Sequence, residues 1–282
     1  MKRKRLTITL DARLLERIDS IIDKNQIRNR SHAIEFLIKK SLPPGVTRAV
    51  ILAGGPGVHF RPLTYEIPSA LIPFKDKPLL SYTIDQLKKA GIEKIVLCIG
   101  HLGEKIIDQF GDGHQLGVEI SYSRDGQKPL GTAGAIWQAR HHLKGEPFLV
   151  ISGDILSNID LSDLINFHDR GKCAATLALT TIKNPAQHGV VKVKGNKIVS
   201  FNEKPDFLDS DSNLIHAGVY ILENSVFEFF PKKRPLVIEK DVFPKIVKAK
   251  EMKAYLFEGQ WFDISYPKVY EKALKKFKLK EA

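Results

Sequence analysis

The sequence predicts an α/β protein with a mixed sheet flanked by helices, preceded by a small separate module. Three observations predict this arrangement. After Thr47, strand-like segments alternate with segments of helical spacing, which is typical of a mostly parallel sheet. The 282 residues, 43% of them hydrophobic, suit about two domains. The stiff sequence Leu42-Pro43-Pro44-Gly45 marks a boundary between them. We therefore expect a domain at 1–42, a linker at 43–47 and a domain at 48–282.

The pattern of the first module predicts a strand followed by two helices. Residues 5–10 alternate polar with apolar side chains, as a strand with one buried face does. Asp11 is a suitable N-cap for a first amphipathic helix, and Ser31 is a suitable cap for a second. Because three such short elements bury too little surface in about forty residues, we expect two copies of the chain to share one core.

The net charge of the chain is +12, and half of this excess lies in about its first sixth. Residues 1–47 hold eleven Lys or Arg and five Asp or Glu, a net of +6. A localised basic segment of this kind indicates a polyanionic partner. A solvated arm that merely aids solubility is the alternative explanation of the charge.

The first module resembles the ribbon-helix-helix family of DNA-binding proteins, with Asn29-Arg30-Ser31 at the opening of the second helix. The resemblance implies a dimer whose paired strands enter the major groove of double-stranded DNA. It also implies that Arg5, Thr7 and Thr9 face the bases, and that Ser31 lies at a phosphate. A dimerisation module that binds no DNA is the alternative.

The elements of the second domain follow one another along the chain. Strands are predicted at 48–52, 94–99, 118–122, 147–152 and 174–180, with more mixed, antiparallel strands at 190–201 and 215–222. Helices are predicted at 80–90, 103–110, 132–143, 160–169, 224–230, 239–249 and 267–277. No apolar run approaches the length of a membrane span, and no signal-peptide core follows the basic N-terminus. We therefore expect a cytoplasmic protein.

The sharpest motif is a glycine-rich loop, Leu52-Ala53-Gly54-Gly55-Pro56-Gly57, directly after the first strand of the second domain. Glycines at such a turn let backbone N–H groups approach a phosphate or a base closely. The loop matches neither the P-loop nor the dinucleotide fingerprint. Taken alone it is weak, because many glycine-rich turns bind nothing.

Seven further motifs follow the loop. They start at Arg61-Pro62-Leu63-Thr64, Lys77-Pro78-Leu79-Leu80, Leu130-Gly131-Thr132-Ala133, Gly153-Asp154, Glu203-Lys204-Pro205, Ala217-Gly218-Val219-Tyr220 and Phe262-Asp263-Ile264. With the loop, this series resembles the sugar-1-phosphate nucleotidyltransferase family over about 48–275. The resemblance implies a Rossmann-like, GT-A-like fold. It also implies a reaction in which a nucleoside triphosphate and a sugar-1-phosphate give a nucleotide sugar and pyrophosphate.

The same resemblance assigns site residues in this chain. Asp154 and Asp263 would bind Mg²⁺ and carry the catalysis. The nucleotide would contact Ala53, Gly54, Gly55, Gly131 and Thr132. The sugar and its phosphate would contact Glu203, Lys204, Gly189 and Gly218. His216 stands where the family often has Asn, and it would face a sugar hydroxyl.

The chain departs from the family at two cationic positions. His59 and Ser69 stand where the family has an Arg and a Lys that hold the triphosphate. A neutral imidazole is a poor replacement for a guanidinium, and losing one such group commonly costs about 10²–10³ in rate. Arg61, Lys75 and Lys77 are candidate substitutes. The family's Ile-Gly-Thr-Pro after the second aspartate is Ile264-Ser265-Tyr266-Pro267 here.

Two hypotheses follow. The first is a DNA-binding regulator whose second domain binds a nucleotide sugar or its precursors with weak or lost catalysis. The alternative is an active Mg²⁺-dependent sugar-1-phosphate nucleotidyltransferase, dimerised by its N-terminal module and open to further assembly into a tetramer. A scaffold without a ligand is a third hypothesis. The motifs do not indicate which base, sugar or operator is bound.

Overall fold

The computed structural model describes residues 7–24, 27–41, 45–126, 128–171, 173–205, 212–232 and 235–278. The chain forms two compact units, Met1–Pro43 and Pro44–Ala282. Each unit has its own secondary structure and its own core, and they are described in turn.

The N-terminal unit contains two helices, α1 (Ala12–Ser20) and α2 (Arg30–Ser41). Asp11 caps α1 as predicted, because its carboxylate accepts a hydrogen bond of 2.8 Å from the Leu14 backbone N–H. The predicted cap of α2 is wrong: the Asn29 side chain accepts the bond from the backbone N–H of His32, at 2.9 Å. Ser31 lies inside the helix and is exposed.

The predicted N-terminal strand is absent from residues 7–10, the part of it that the structure describes. Thr7 and Thr9 are exposed in irregular chain there, and Arg5 lies outside the described residues. The physical reason is that a strand exists through hydrogen bonds to a neighbouring strand, which alternation of side chains within one chain does not supply. In the described part of this unit, Ile18 and Ala33 are the apolar residues that are buried.

The larger unit is an α/β domain, as predicted. Its strands are β1 (Arg48–Ala53), β2 (Pro73–Phe74), β3 (Lys77–Pro78), β4 (Lys94–Ile99), β5 (Glu119–Arg124), β6 (Phe148–Ser152), β7 (Ile155–Ser157), β8 (Ala175–Thr181), β9 (Gly189–Lys194), β10 (Lys197–Glu203), β11 (Leu214–Leu222), β12 (Met252–Leu256) and β13 (Trp261–Asp263). Nine of these strands form one sheet within the described residues, in the order β5-β4-β1-β6-β11-β8-β12-β10-β9. Strands β5, β4, β1 and β6 are parallel, and β11 then pairs antiparallel with β6.

The helices of this unit are α3 (Leu79–Lys89), α4 (Gly103–Phe110), α5 (Gly131–Ala139), α6 (Leu161–Asp169), α7 (Ile238–Asp241), α8 (Phe243–Lys248) and α9 (Pro267–Lys276). They cover two hydrophobic clusters built on alternate residues of the central strands. Val50 and Val150 belong to the cluster with α5 and α8, and Ile51 and Ile151 belong to the cluster with α3 and α6. The sheet is therefore buried on both faces, which explains why its strands are nearly continuous apolar runs.

Three predicted helices differ from the observed ones. The segment Asn224–Phe229 is a 3₁₀ helix, and α5 ends in a 3₁₀ turn, Arg140–His142. The helix predicted at 239–249 is interrupted at Val242, whose φ of −121° separates α7 from α8. Pro244 follows two positions later, and proline has no N–H to continue an i→i−4 ladder. In the parts of the chain that the structure describes, no helix has the length and apolar character to cross a membrane.

Strands β7 and β13 form a two-stranded sheet that is separate from the main sheet and brings two distant segments together. The two strands are antiparallel, with Asp263 opposite Ile155 and Trp261 opposite Ser157. A backbone hydrogen bond of 2.8 Å from the Ile264 N–H to the Asp154 carbonyl extends this pairing. This strand pair therefore places Asp154 and Asp263 next to each other although they are 109 positions apart in the sequence.

Candidate active site

Two adjoining cavities lie beyond the carboxyl ends of β1 and β6, where α/β sheets usually bind ligands. The first cavity, of about 260 Å³, is lined by the glycine-rich loop and by the segment around Gly131. The second cavity, of about 380 Å³, is lined by residues of β9–β11, of α7 and of the β7–β13 strand pair. Gly55, Pro56, Ser152 and Asp154 line both cavities. The two spaces therefore meet at Asp154.

The structure brings the residues predicted for the site together around these cavities. The first cavity is lined by Ala53, Gly54, Gly55, Ser69, Gly131, Thr132 and Asp154. The second cavity is lined by Gly55, His59, Asp154, Gly189, Glu203, Lys204, Gly218 and Asp263. Residues assigned from separate motifs thus converge on one region, and they divide between two neighbouring spaces.

Asp154 is a carboxylate with a perturbed pKa at the junction of the two cavities. The pKa of this carboxyl is raised from 3.8 to about 6, mainly by burial and in smaller part by the nearby Asp263 carboxylate. The Asp154 side chain has one hydrogen-bond partner among the described side chains, the Ser265 hydroxyl. A half-buried negative charge with so little compensation is suited to a bound cation.

Ser265 lies between the two aspartates. Its Oγ is 2.9 Å from Asp154 Oδ2 and 2.5 Å from Asp263 Oδ1. Its backbone N–H also donates to Asp263 Oδ1, at 3.0 Å. On the other side, Asp263 Oδ2 lies 3.9 Å from His188 Nδ1. Burial lowers the pKa of the His188 imidazole, and the Lys204 ammonium lowers it further while Asp263 raises it.

The two carboxylates fit a Mg²⁺ ion that is completed by the ligand. Magnesium prefers oxygen ligands and is usually held by one or two carboxylates together with substrate phosphates. The described residues contain no cluster of three or more His, Cys, Asp or Glu side chains that could hold a metal alone. Two aspartates at the junction of two cavities therefore match an ion that is bound together with phosphate groups.

The second cavity holds two further acidic side chains. Burial raises the pKa of the Glu203 carboxyl, and burial together with the charge on Glu203 raises the pKa of Glu239 to about 7. Lys204 follows Glu203 with a positive φ of 48° and lines the same cavity. A carboxyl group that is partly protonated near neutrality, as that of Glu239 is, can both donate and accept hydrogen bonds, as sugar hydroxyls require.

His216 also lines the second cavity and is almost completely buried. Its Nε2 has no hydrogen-bond partner among the described residues, and burial lowers the pKa of the imidazole to about 3. The ring packs against the aromatic rings of Phe201, Tyr220 and Phe243. The imidazole is therefore neutral in the folded protein.

Gly131 and Thr132 are held against the segment that begins α7. Gly131 has a φ of 76°, and a Cβ there would lie 2.3 Å from the Leu236 carbonyl oxygen. The Thr132 hydroxyl accepts a bond of 2.8 Å from the Ile238 N–H and donates one of 3.1 Å to Glu239 Oε2. The loop predicted to border the base is thus bonded to a carboxyl group of the second cavity.

The two positions without the expected cations lie at different cavities, His59 at the second and Ser69 at the first. The His59 ring stacks on Tyr266, with centroids 4.6 Å apart. Ser69 lines the first cavity with its small side chain. Among the residues that the structure describes, Lys204 is the one lysine or arginine in the lining of the two cavities.

The suggested substitutes for those cations do not line either cavity. Lys75 donates to the Phe277 carbonyl, and Lys77 pairs with Asp85. The Arg61 guanidinium lies over the Tyr65 ring, 5.1 Å from its centroid. In this structure nearby acceptors and a ring hold these cations, and their role as substitutes stays a prediction.

Sequence reasoning missed several residues of the site. Glu239, His188, Trp261 and Ser265 line the second cavity, and Asp125 lines the first. Two of them had a signal in the sequence, since His188 directly precedes the predicted Gly189 and Ser265 stands two positions after Asp263. Glu239 had none, because an acid at the start of a helix is ordinarily solvated.

The fold and the site define an α/β protein with a pair of aspartates where two cavities meet. Residues 48–279 match the family model described as "Nucleotidyl transferase". The chain belongs to this family. The described similarity lies wholly within the larger unit and gives no support to an N-terminal ribbon-helix-helix domain.

Curated relatives extend this finding. The chain is 35% identical over 232 residues to "Probable mannose-1-phosphate guanylyltransferase 2" of Arabidopsis thaliana. It is 34% identical over 226 residues to "Mannose-1-phosphate guanylyltransferase catalytic subunit beta" of Danio rerio. The first match covers 79% of this chain and 63% of the relative, and the second covers 78% and 62%. The chain thus spans less than two thirds of these relatives' length.

Solved structures agree with the fold. A UDP-glucose pyrophosphorylase complexed with UDP-glucose superimposes with a TM-score of 0.72 at 26% identity, covering 81% of this chain and 97% of that one. A putative glucose-1-phosphate thymidylyltransferase from Bacillus anthracis has a TM-score of 0.74, 24% identity and coverages of 80% and 93%, and it supports the fold alone.

These relatives overturn the first functional hypothesis. They are named for nucleotidyl transfer to sugar phosphates, and none of those names concerns DNA or transcription. The prediction of a DNA-binding regulator is therefore wrong, and the alternative of an active transferase is favoured. The error arose because the missing cations and the basic N-terminus were given more weight than the retained carboxylates.

Proposed function

We propose that the chain is an active Mg²⁺-dependent sugar-1-phosphate nucleotidyltransferase. The observation that carries this proposal is the position of Asp154, which lines both cavities and is near Asp263. A transferase must bring two phosphorylated substrates together at one phosphorus atom. A half-buried carboxylate at the junction of two cavities can hold a cation where the two substrates would meet.

The reaction is a nucleotidyl transfer. A phosphate oxygen of the sugar-1-phosphate attacks the α-phosphorus of the nucleoside triphosphate and forms the new P–O bond. The bond from the α-phosphorus to the oxygen that bridges to the β-phosphate breaks, and pyrophosphate leaves with that electron pair. Such a displacement needs little covalent help from the protein, so alignment and charge stabilisation dominate its catalysis.

Each cavity suits one substrate. In the first cavity, backbone groups of Gly54 and Gly55 would contact the nucleotide, and Gly131 would border the base. In the second, Glu203 would accept from sugar hydroxyls and Lys204 would bind the sugar phosphate. Gly218 has a φ of 72°, which a glycine adopts at little cost, and it lines the sugar side.

Asp154 and Asp263 would hold the Mg²⁺ ion in this scheme. When bound, the ion neutralises charge that develops on the phosphate oxygens. The aspartates fix the ion at the junction of the cavities, and Lys204 adds the one fixed positive charge that the described lining contains. The chain therefore relies on the ion more heavily than a transferase with two further cations would.

The curated relatives suggest which substrates to test first. Their names specify a guanylyl group and mannose-1-phosphate. We therefore propose GTP and mannose-1-phosphate as the preferred pair. The test is pyrophosphate release across four nucleoside triphosphates and a panel of hexose-1-phosphates with Mg²⁺. Turnover with another pair would correct the specificity alone, whereas no turnover with any pair would overturn the activity.

We also propose that the N-terminal unit associates with the same unit of a second copy. Its described core is very small, with Ile18 and Ala33 buried, whereas Ile8, Leu14 and Phe36 are between 38% and 47% exposed. So small a unit ordinarily needs a partner to bury enough apolar surface. A shared core between two copies satisfies this need without any nucleic acid, and further assembly into a tetramer remains open to measurement.

A further inference from the structure

Ser265 occupies a position that no motif assigned to the site. Its hydroxyl oxygen lies within hydrogen-bond distance of one carboxylate oxygen of Asp154 and one of Asp263, at 2.9 and 2.5 Å. A hydroxyl has one proton to donate, so it cannot donate to both carboxylates at once. The Ser265 hydroxyl is therefore a single donor within reach of both carboxylates.

The backbone around Ser265 fixes this position. The Ser265 N–H donates to Asp263 Oδ1 at 3.0 Å, and the preceding Ile264 N–H donates to the Asp154 carbonyl at 2.8 Å. These two backbone hydrogen bonds hold Ser265 next to both aspartate segments, independently of its side chain. The hydroxyl adds a link between the two carboxylate groups themselves, which the backbone bonds do not provide.

We propose that Ser265 is a positioning residue that holds the Asp154 and Asp263 side chains in the arrangement that a divalent cation needs. The proposal rests on the proposed function of this pair as metal ligands. Two carboxylates close together repel each other, and the Ser265 hydroxyl lies between them and can donate to either one. A hydroxyl between them reduces the reorganisation required when the cation binds.

Partners that orient metal ligands have measurable effects on affinity. Removing one typically weakens metal binding by about 10–100-fold. The family resemblance places a glycine at this position, which has no hydroxyl. The serine is thus a feature of this chain, and it would compensate in part for the scarcity of cations around the substrates by strengthening retention of the ion.

The test is titration of the full chain with Mn²⁺ alone, followed by electron paramagnetic resonance of the free ion, without nucleotide or sugar. We expect Ser265→Ala and Ser265→Gly to weaken Mn²⁺ binding about tenfold, and Ser265→Thr, which retains a hydroxyl, to bind like the unaltered protein. Ser157→Ala is the matched control, because Ser157 is a buried serine of β7, opposite Trp261 of β13. It should leave Mn²⁺ affinity unchanged.

Two results would overturn the proposal. One is Mn²⁺ affinity in Ser265→Ala and Ser265→Gly equal to or tighter than that of the unaltered protein. The other is an equal loss of Mn²⁺ affinity in Ser157→Ala, which would indicate a general effect on the β7–β13 strand pair. Thermal melting of each variant without metal separates loss of folding from loss of binding. Failure of the proposed transferase activity is distinguishable, since it would leave the unaltered protein binding Mn²⁺ without releasing pyrophosphate from any substrate pair.

Discussion

Asp154 combines a cost in stability with a requirement for activity. Its carboxyl has a usual pKa of 3.8, and in the folded protein burial raises the pKa to about 6. As the pH rises through this interval, the unfolded chain releases its proton before the folded chain does. The folded state is therefore penalised at neutral pH by roughly 3 kcal/mol, since each pKa unit is worth about 1.4 kcal/mol. A bound cation would remove much of this penalty.

The first prediction is that Asp154→Asn stabilises the metal-free protein at pH 7 and abolishes turnover. The amide keeps the shape and the bond to Ser265 without a buried charge, so the melting temperature should rise by several degrees. Pyrophosphate release should fall by at least about 10³-fold. Calorimetry and a rate assay check both parts. At pH 4, where the native carboxyl is protonated, the stability difference should disappear; a difference as large there would contradict the account.

The second prediction concerns the pH dependence of metal binding. Because the Asp154 carboxyl is protonated below about pH 6, a divalent cation must displace a proton to bind there. We expect Mn²⁺ affinity to be constant above pH 7 and to fall about tenfold for each unit below pH 6. Isothermal titration in two buffers of different ionisation heat measures the released proton. Affinity that does not change between pH 5 and 7 would be inconsistent with a buried ligand.

The third prediction concerns the two cationic positions. Ser69 lines the first cavity and His59 lines the second, so Ser69→Lys with His59→Arg returns two positive charges to the substrates. We expect kcat/KM for the triphosphate to rise by about 10–100-fold. Lys75→Ala is the control, since Lys75 bonds to the Phe277 carbonyl and lines neither cavity. An unchanged or lower kcat/KM in the double variant would mean that the chain stabilises the charge by other groups.

Single residues also show what the sequence could and could not predict. Asp154 and Asp263 are recognisable because each belongs to a motif of ordered spacing. Glu239 is not, because its role depends on burial and on a hydrogen bond to Thr132, 107 positions away. Lys75 and Lys77 were expected near the substrates, yet the first bonds to a carbonyl and the second to Asp85. Spacing along the chain identifies a motif, whereas the partner of a flexible cation depends on tertiary contacts.

At the scale of elements, the segment from Leu236 into α7 is bonded to the start of α5. Leu236 N–H donates to the Leu130 carbonyl at 2.8 Å, and the Leu236 carbonyl accepts from Ala133 and Gly134. Thr132 adds the bonds to Ile238 and Glu239. The loop of the first cavity and a wall of the second are therefore parts of one hydrogen-bonded unit.

The fourth prediction tests this unit. Thr132→Val should lower the free energy of unfolding by about 1 to 3 kcal/mol, because the Ile238 N–H and the Glu239 carboxyl lose their shared partner. It should also raise the KM for the sugar phosphate, although Thr132 itself lines the nucleotide side. Thr132→Ser keeps the hydroxyl and should behave like the unaltered protein. If the KM for the sugar phosphate stays the same while that for the triphosphate rises, the proposed link is absent.

The elements themselves were predictable where one chain contains all their partners. Strands β1, β4 and β6 match the predicted segments closely, because a buried parallel strand has a distinctive apolar run. The helix predicted at 239–249 was broken by Pro244, a local signal that helical spacing obscured. The strand predicted at 5–10 has no partner in its own chain, so alternation alone did not produce it in the described residues.

At the scale of the whole molecule, the two units differ in how completely they bury their apolar residues. The larger unit has extensive clusters on both faces of its sheet. The described part of the N-terminal unit has two buried apolar residues and several exposed ones. Length and composition indicated two domains, and motif order indicated the family of the larger one. They did not determine what the small basic unit binds.

The fifth prediction concerns self-association. Leu14→Glu with Phe36→Glu should shift the full chain from a dimer or larger species to a monomer in sedimentation velocity, because both residues are exposed apolar groups of the N-terminal unit. Val199→Glu is the control, since Val199 is 53% exposed on the larger unit. A monomeric unaltered protein, or dissociation by the control variant alone, would contradict association through residues 1–42.

The central claim is that the retained aspartates outweigh the missing cations and that the chain turns over. The most direct measurement is pyrophosphate release by the unaltered full chain with GTP, mannose-1-phosphate and Mg²⁺, together with detection of the nucleotide sugar. We predict equal amounts of pyrophosphate and nucleotide sugar, both abolished by chelation of the metal and by Asp154→Asn. No product from this pair or from any other triphosphate and sugar-1-phosphate, in a protein that binds Mn²⁺ normally, would contradict the claim.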